Sequence, residues 1–371
     1  MNKQGRFKSV ILILTGNCNL RCSYCYEVNK NNHRMSLDTC LKILNDELTA
    51  DDGTEEVEIS VFGGEPFLEF ENIKKIANYL QSKSFPKKYT MFATTNGTLV
   101  HGEVQSWLRE HKELMTCSLS LDGTPKMHNI NRDNSFSKID LDFFLELYPD
   151  QTIKMTVSKE TLPDLAEGII YCHEKGFEIS CNLAYGIDWT NEGCTTILEE
   201  QLKKLIDYYI NNPNIKPCTM LGARFESIGY DNGVSNEYCQ RWCGAGQHIH
   251  TYDTDGQRYP CQLFLPISAG DEKAQKSKEI TFIDKVPLTL LDEECRMCIV
   301  RDLCPTCYGT NYIQYGNIYK KDPNVCLYNK IIMKARAYFR AKQYELGLLN
   351  DWSEEELQAL FRSIIKINDL K

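Results

Sequence analysis

The first 210 residues of this 371-residue chain alternate apolar segments with amphipathic ones, and this alternation limits the possible folds more than any other feature. Apolar and β-branched segments predict six strands, at Lys8–Thr15, Val57–Gly64, Tyr89–Gly97, Met115–Gly123, Thr152–Ser158 and Glu178–Gly186. Amphipathic segments predict helices at Ser36–Leu48, Glu69–Leu80, His101–His111, Leu162–Lys175 and Thr195–Ile210. Repeated βα units form parallel sheets, so the pattern predicts an α/β fold whose sheet is either open or wound into a barrel.

Three of the predicted strands end in polar turns that contain glycine. These turns are Gly63–Pro66, Thr95–Gly97 and Ser120–Gly123. Ligands of parallel α/β folds bind at the carboxyl ends of the strands. Ordinary strand-to-helix turns have a similar composition, but three of them in register beside a cysteine-rich loop favour a binding site.

The composition changes after residue 210, where a turn-rich segment is followed by short strands and many cysteines. We therefore predict a barrel domain, a linker, a cysteine-rich domain and a C-terminal helical segment at residues 1–210, 211–234, 235–335 and 336–371. The run Leu327–Leu348 predicts a helix, and Ser353 with Glu356 forms the capping-box pattern that begins another. Asp253–Gly256 predicts a hairpin turn, and the polar segment Asp271–Lys278 predicts a surface loop.

Seventeen cysteines are the main anomaly of the composition. Disulfide frameworks belong to small oxidised domains, so metal binding is the better interpretation for most of these thiols. Three cysteines lie close together at Cys18, Cys22 and Cys25, and eight more lie at Cys239, Cys243, Cys261, Cys295, Cys298, Cys304, Cys307 and Cys326. The six others are scattered in apolar or helical segments, where a cysteine is usually a small buried apolar residue. Three plus eight suggests one site with three ligands and two sites with four.

The loop after the first predicted strand reads Cys-Asn-Leu-Arg-Cys-Ser-Tyr-Cys, from Cys18 to Cys25. Thiolates favour iron–sulfur clusters, zinc and Cu(I). Three cysteines can bind three irons of a cubane cluster and leave its fourth iron without a protein ligand. Structural zinc requires a fourth ligand, which His33 could supply, so both metals remain open at this point.

The spacing of these cysteines, with Tyr24 before the last one and a strand before the loop, resembles the radical S-adenosylmethionine (SAM) superfamily. The resemblance implies a partial (β/α)6 TIM-like barrel, a four-iron cluster on Cys18, Cys22 and Cys25, and SAM bound at its open iron. The implied SAM-binding residues are Tyr24, Gly63, Gly64, Glu65, Pro66, Asn96, Ser120, Asp122, Arg132 and Leu183. In the family, residues matching Gly63–Pro66 meet the methionine amino group, those matching Ser120 and Arg132 contact the ribose and the carboxylate, and the position of Leu183 contacts adenine. Asp122 could instead fix its own turn.

The eight later cysteines resemble the SPASM extension of many radical SAM enzymes, which holds two auxiliary 4Fe–4S clusters. By this resemblance, the first auxiliary cluster would be bound by Cys239, Cys243, Cys261 and Cys307. The second would be bound by Cys295, Cys298, Cys304 and Cys326. One spacing departs from the family pattern, because two residues rather than three separate Cys304 from Cys307. The cofactors predicted for the chain are thus SAM and three 4Fe–4S clusters.

SPASM-bearing enzymes mostly act on peptides or protein side chains, so the resemblance implies a peptide or protein substrate, which could carry a leader sequence. Sulfatase-maturating members use an aspartate directly after the third auxiliary cysteine as a base, and this chain has Gln262 there. An amide accepts no proton at neutral pH, which favours a maturase that forms a carbon–carbon or thioether cross-link. Sulfatase-type oxidation of cysteine or serine, peptide epimerisation, a small-molecule substrate and a zinc-binding scaffold remain as alternatives. No catalytic acid or base is assigned.

Charge and hydropathy bound the partners and the location. A net charge of −9 argues against nucleic acid as a substrate, and no apolar run approaches the roughly 20 residues of a membrane span. The apolar run Val10–Leu14 is too short for a signal peptide, so a cytoplasmic location is expected. The radical chemistry implies an external one-electron donor such as flavodoxin or ferredoxin. Because the first strand starts at Lys8, recognition of a leader is expected in the barrel, the cysteine-rich domain or a separate protein.

Overall fold

The structure is a computed structural model that describes residues 6–190, 193–230, 235 and 237–370. The chain divides into two compact units, each assembled from separate stretches of sequence. The first unit consists of Met1–Leu121, Arg132–Lys154 and Gly244–Phe282, and the second of Asp122–Asn131, Met155–Cys243 and Ile283–Lys371. The four-part division predicted from composition stays a prediction, and residues 231–234 and 236, at and just after the end of its linker, lie outside the described residues.

The described strands are β1 (Phe7–Thr15), β2 (Glu56–Gly63), β3 (Lys88–Thr95), β4 (Met115–Leu119), β5 (Ile153–Val157), β6 (Ile179–Leu183), β7 (Tyr238–Gln240), β8 (Ile249–Tyr252), β9 (Arg258–Tyr259) and β10 (Lys285–Pro287). The described helices are α1 (Leu37–Thr49), α2 (Phe70–Gln81), α3 (Glu103–Glu110), α4 (Pro125–Asn131), α5 (Leu141–Leu147), α6 (Leu165–Glu174), α7 (Cys194–Asn211), α8 (Thr219–Gly222), α9 (Pro266–Ala269), α10 (Asp271–Ser277), α11 (Glu293–Arg296), α12 (Tyr308–Tyr315), α13 (Pro323–Glu345) and α14 (Glu354–Asn368). All six predicted strands of the N-terminal region are present, with ends that differ by a few residues.

A mostly parallel sheet forms the centre of the first unit. Its strand order is β4-β3-β2-β1-β8-β9, and every pair from β4 to β8 is parallel. The central strand β1 is buried from Val10 to Leu14, as expected for a parallel strand that is covered on both faces. The predicted α/β fold class is confirmed.

The last two of the six predicted strands are β5 and β6. Ser120, just after β4, forms a parallel bridge with Lys154 of β5, and β5 pairs with β6. Each of the strands β1 to β4 is followed by a turn that contains predicted site residues or residues next to them.

Helix starts follow local capping chemistry. Ser36 caps α1 by accepting a hydrogen bond from the Thr39 amide, and Asp322 caps α13, in which Pro323 is the first residue. The capping box predicted at Ser353 and Glu356 is confirmed, because both of its reciprocal hydrogen bonds are present at the start of α14.

The loop predicted at Asp271–Lys278 is wrong, since Asp271–Ser277 forms helix α10. Asp271 and Glu272 lie in its first turn, where negative charge favours a helix. Glu272 also forms an i,i+4 ion pair with Lys276. Only Ala274 and Ser277 are buried, so the segment lacks the apolar stripe that usually reveals a helix.

The hairpin predicted around Asp253–Gly256 is confirmed. Asp253 Oδ1 accepts hydrogen bonds from the amides of Asp255 (3.0 Å) and Gln257 (2.8 Å), and Gly256 has a positive φ of 78°. This turn joins β8 to the antiparallel strand β9.

The buried carboxylate of Glu47 connects the β8–β9 hairpin with other elements of the first unit. Glu47 of α1 accepts hydrogen bonds from His250 Nδ1 (2.6 Å) and Tyr252 OH (2.5 Å), both on β8. It also forms an ion pair with Lys8 of β1 at 2.5 Å, and Lys8 reaches Asp52 at 2.6 Å. Three sequence-distant elements thus share one buried polar network. No described helix is long and apolar enough to cross a membrane.

Candidate functional site

The cysteine loop lies between β1 and α1, at the carboxyl end of the central strand. Its three cysteines form no disulfide and are partly buried. Cys18 Sγ accepts a hydrogen bond from the Leu20 amide at 3.4 Å, and the Cys25 amide donates to the Cys22 carbonyl at 3.2 Å. These local bonds bend the loop between Cys18 and Leu20 and again between Cys22 and Cys25.

Electrostatic interactions connect Lys30 with the thiols of the loop. Burial raises the pKa of the Cys18 thiol, and the charge of Lys30 opposes that rise. Burial alone would lower the pKa of Lys30, but Cys18, Cys25 and Cys22 raise it above its ordinary value. One cation therefore lies within electrostatic reach of all three thiols.

The glycine turn after β2 packs directly on the cysteine loop. The Gly64 amide donates to the Thr15 carbonyl at 3.1 Å, and the Glu65 amide donates to the Asn17 carbonyl at 3.0 Å. A Cβ atom at Gly64 would lie 2.2 Å from the Asn17 carbonyl oxygen and 2.8 Å from Cys18 Cβ. Gly63 has a φ of 139° and is just as tightly packed, against Thr15. Only glycine fits at these two positions.

Replacing Gly64 with alanine is expected to displace the backbone beside Cys18 and to reduce the iron bound by this loop. Iron and sulfide analysis of the anaerobically purified variant would measure the loss, expected to reach about four irons per chain. Gly53→Asn is a suitable control, since nothing lies within 4 Å of the corresponding Cβ position and asparagine tolerates a positive φ. Full iron content in Gly64→Ala would contradict the expectation.

Glu65 joins the glycine turn to the end of β3. It is 1% exposed and accepts hydrogen bonds from Thr95 Oγ1 (2.7 Å) and from the amides of Asn96 (2.8 Å) and Phe67 (3.2 Å). Burial raises the pKa of Glu65 to about 7, although these bonds and the charge of Arg132 act in the opposite direction. The Asn96 side chain in turn donates to Asn19 Oδ1 at 2.9 Å, within the cysteine loop.

Arg132 lies beside the cysteine loop as well. Its guanidinium carbon is 5.5 Å from the centre of the Tyr24 ring, and its Nη1 is 4.0 Å from Cys22 Sγ. The side chain is buried, at 8% exposure. Ser120 is held next to the end of β3, because its amide donates to the Thr95 carbonyl at 2.8 Å.

Two predicted residues belong to the second unit. Asp122 is fully buried, and its two oxygens accept hydrogen bonds from the Thr156 amide (2.9 Å) and from Asn131 Nδ2 (3.2 Å). These bonds fix the turn after β4. Leu183 ends β6 and is 3% exposed.

In the first unit, the structure brings the cysteine loop, the glycine turn, Asn96 and Arg132 into one network. Sequence reasoning missed Lys30 and Asn19, and it placed Thr95 in a binding turn without giving it a role. Lys30 lies five residues after the last cysteine of the loop, and only its positive charge among cysteines could have drawn attention to it.

Four of the later cysteines converge in the second unit. Cys295, Cys298, Cys304 and Cys326 line one cavity of about 520 Å³. Burial raises the pKa of Cys304 to about 12, and the three other thiols of this set add to the rise. Asn329 Nδ2 lies 3.7 Å from Cys304 Sγ as a hydrogen-bond donor. Cys239, which the sequence analysis assigned to the other cluster, also lines this cavity. The lining thiols and the volume give the donor set and the room that an iron–sulfur cluster requires.

The other auxiliary set is partly assembled around two tyrosines. Tyr308 OH accepts a hydrogen bond from the Trp242 amide at 3.2 Å. Burial raises the pKa of Tyr308 to about 12, with contributions from Cys243 and Cys239. Tyr185, just after β6, is 37% exposed and interacts electrostatically with Cys307 and Cys243, which contribute to raising its pKa. The fourth predicted ligand, Cys261, follows β9 in the first unit.

No group of three or more His, Cys, Asp or Glu side chains in the described ranges is placed to hold a single metal ion. A four-iron cluster makes a different demand, because each thiolate binds its own iron. The three cysteines of the loop and the cysteines that line the cavity supply thiolates of the type that such a cluster binds.

Comparison with known proteins identifies the family of this chain. The family described as the Radical SAM superfamily matches residues 12–200, about half of the chain and all of its first six strands except the start of β1. The chain belongs to the radical SAM superfamily, which implies SAM and one 4Fe–4S cluster as cofactors.

Individual proteins of known sequence are also similar to this chain. A cysteine-type anaerobic sulfatase-maturating enzyme of Clostridium perfringens is 25% identical over 331 residues, which cover 77% of this chain and 84% of the relative. A serine-type anaerobic sulfatase-maturating enzyme of Bacteroides thetaiotaomicron is 31% identical over 134 residues, which cover 33% of this chain and 30% of the relative. An uncharacterised protein of Methanocaldococcus jannaschii is 33% identical over 116 residues, and the match covers 31% of this chain and 39% of that protein.

Solved structures share the fold over most of the chain. The protein anSMEcpe with bound AdoMet and the Cp18Cys peptide has a TM-score of 0.64 at 20% identity, covering 94% of this chain and 100% of that one. SuiB of Streptococcus suis bound to its precursor peptide SuiA has a TM-score of 0.53 at 17% identity, covering 87% and 76%. The fold is that of radical SAM enzymes, as predicted.

Proposed function

We propose that this chain is a radical SAM enzyme that modifies a peptide, and that it forms a carbon–carbon or thioether cross-link in a ribosomally made peptide. In this proposal residues 1–210 supply the SAM-binding fold and residues 235–335 hold two auxiliary 4Fe–4S clusters. The similarity to sulfatase-maturating enzymes and to structures solved with peptides supports the peptide substrate. An external protein of the flavodoxin or ferredoxin type would donate the electron.

The residues around the cysteine loop have distinct roles in this proposal. When bound, a reduced cluster supplies the electron that splits SAM and releases a 5′-deoxyadenosyl radical. Arg132 offers a guanidinium to the SAM carboxylate, since such pairs are bidentate and charge-assisted. Glu65 and Asn96 hold the ends of β2 and β3 in a fixed arrangement, so that the backbone of the glycine turn meets the methionine end of SAM.

The residue that favours cross-linking is Gln262, directly after Cys261. Forming a cross-link removes two hydrogen atoms from the peptide: the 5′-deoxyadenosyl radical takes one, and the second leaves as a proton and an electron. A cluster held by the auxiliary cysteines would supply an acceptor for that electron. Gln262 cannot take up a proton in the way that the aspartate of sulfatase-maturating enzymes does, so the bond-forming chemistry is expected to differ from theirs.

Oxidation of a cysteine or serine, as in sulfatase maturation, is the second candidate. It is favoured by the relative of Clostridium perfringens, which matches 77% of this chain. The two candidates differ in their products, because cross-linking only removes hydrogen from the peptide whereas oxidation of cysteine to an aldehyde also removes its sulfur.

Mass spectrometry separates the two candidates. We expect a short peptide encoded next to this gene to lose two hydrogens per modification when it is incubated with reduced enzyme and SAM, and the Cp18Cys peptide to remain unchanged. The holoenzyme should contain about twelve irons. Loss of sulfur from Cp18Cys would favour the second candidate, and turnover of a small molecule without any peptide would overturn both.

A further inference from the structure

Lys30 reaches back to the cysteine loop, although it follows the last cysteine by five residues. Its Nζ donates a hydrogen bond to the Leu20 carbonyl at 3.1 Å. The amide of the same Leu20 donates to Cys18 Sγ at 3.4 Å. Through these two bonds the ammonium group is fixed to the residue that lies between the first and second cysteines.

Two cations and two carboxyl groups lie near the cysteine loop. Lys30 interacts with the thiols of Cys18, Cys25 and Cys22 and with the carboxyl group of Glu27. The second cation, Arg132, approaches Cys22 and the Tyr24 ring. Glu27 interacts with Lys30, and Glu65 interacts with Cys18. Glu65 accepts three hydrogen bonds from the ends of β2 and β3.

We propose that the positive charge of Lys30 raises the reduction potential of the cluster bound by Cys18, Cys22 and Cys25. The inference rests on the proposed function of these cysteines as cluster ligands. Reduction adds one negative charge to a group that already carries three thiolates. A fixed positive charge in a partly buried setting stabilises the more negative state, because charges there are screened less than in water.

Three substitutions separate the charge of Lys30 from its hydrogen bond. Lys30→Met removes both, Lys30→Gln keeps an N–H donor without the charge, and Lys30→Arg keeps the charge. Lys42→Met, on the exposed side of α1, changes the net charge of the chain equally and serves as the matched control.

The readout is a redox titration of the full-length holoenzyme with dithionite and mediator dyes, followed by electron paramagnetic resonance. The relevant signal is the one that is missing from the variant with alanine at Cys18, Cys22 and Cys25. At a fixed potential, Lys30→Met and Lys30→Gln should show a tenfold lower ratio of reduced to oxidised cluster, equal to about 59 mV for one electron. Lys30→Arg and Lys42→Met should stay within about twofold of the wild type, or roughly 18 mV on the same scale.

A wild-type ratio in Lys30→Gln together with a lowered ratio in Lys30→Met would reduce Lys30 to a structural hydrogen bond and overturn the proposal. If Lys30→Met fails to bind iron, Lys30→Gln and Lys30→Arg still decide between charge and structure. A wild-type enzyme with no signal that depends on the three cysteines would instead overturn the proposed ligand set itself.

Discussion

Enzyme in which Cys18, Cys22 and Cys25 are all replaced by alanine is expected to release no 5′-deoxyadenosine above background. None of these three cysteines forms a disulfide, and all three thiols interact electrostatically with Lys30. Substitutions of residues that only support metal ligands cost about 10–100-fold, so loss of the three ligands should exceed about 100-fold. Liquid chromatography of reaction mixtures with SAM and dithionite measures the product.

Iron content gives an independent check on the same variant. It should fall from about twelve irons per chain to about eight, because both auxiliary sets remain intact. Cys40→Ala and Cys117→Ala are the matched controls, since these two thiols are buried in α1 and β4 away from the loop. Equal loss of activity in the controls, or full activity in the triple variant, would refute the assignment of the loop.

Replacing Glu47 with glutamine is expected to destabilise the first unit by about 3 kcal/mol, the lower end of the cost of breaking a buried ion pair. Lys8 is 3% exposed and would keep only Asp52 as an acidic partner. Tyr252 OH would also lose its carboxylate acceptor. Thermal unfolding monitored by circular dichroism should show a transition several degrees lower.

The exposed pair Lys42–Asp46 lies on the same helix and provides the control. Asp46→Asn should change stability by less than about 1 kcal/mol, because exposed ion pairs contribute little. If Glu47→Gln and Asp46→Asn unfold at the same temperature, the buried network does not stabilise the hairpin.

The acid limb of the stability curve offers a second measurement on Glu47. Burial would raise its pKa, but hydrogen bonds from His250, Lys8 and Tyr252 hold the pKa at about 2, below the ordinary value of 4.5. A carboxyl group whose pKa is lowered by folding stabilises the protein above its ordinary pKa, and this stability disappears as the pH falls from about 4.5 to about 2. The wild type should therefore lose more stability than Glu47→Gln over that interval.

The strand pattern and the cysteine spacing were readable from the sequence because both are local. Each run such as Val10–Leu14 must be apolar to be buried on two faces, and Gly63 and Gly64 must lack side chains to pack on the cysteine loop. Such local packing requirements fix the type of residue at particular positions, so the sequence alone reveals them.

The contacts that connect these parts were not readable. Asn19 meets Asn96 across 77 residues, and Glu47 meets Tyr252 across 205. Ordinary polar residue types with no periodicity make these bonds, and only the folded chain brings them together. Helix α10 escaped detection for a related reason, since charge pairing at Glu272 and Lys276 sustains it in place of an apolar stripe.

The parallel pairing of β1 with β8 has a consequence for biosynthesis. One edge of β1 is covered by β2, which leaves the ribosome early, but the other edge waits for residues 249–252. During that interval the nascent chain exposes a strand edge that is open to pairing with a neighbouring chain. Messages truncated near codon 210 would leave this edge open permanently, so their products should aggregate even though they encode every residue of the cysteine loop.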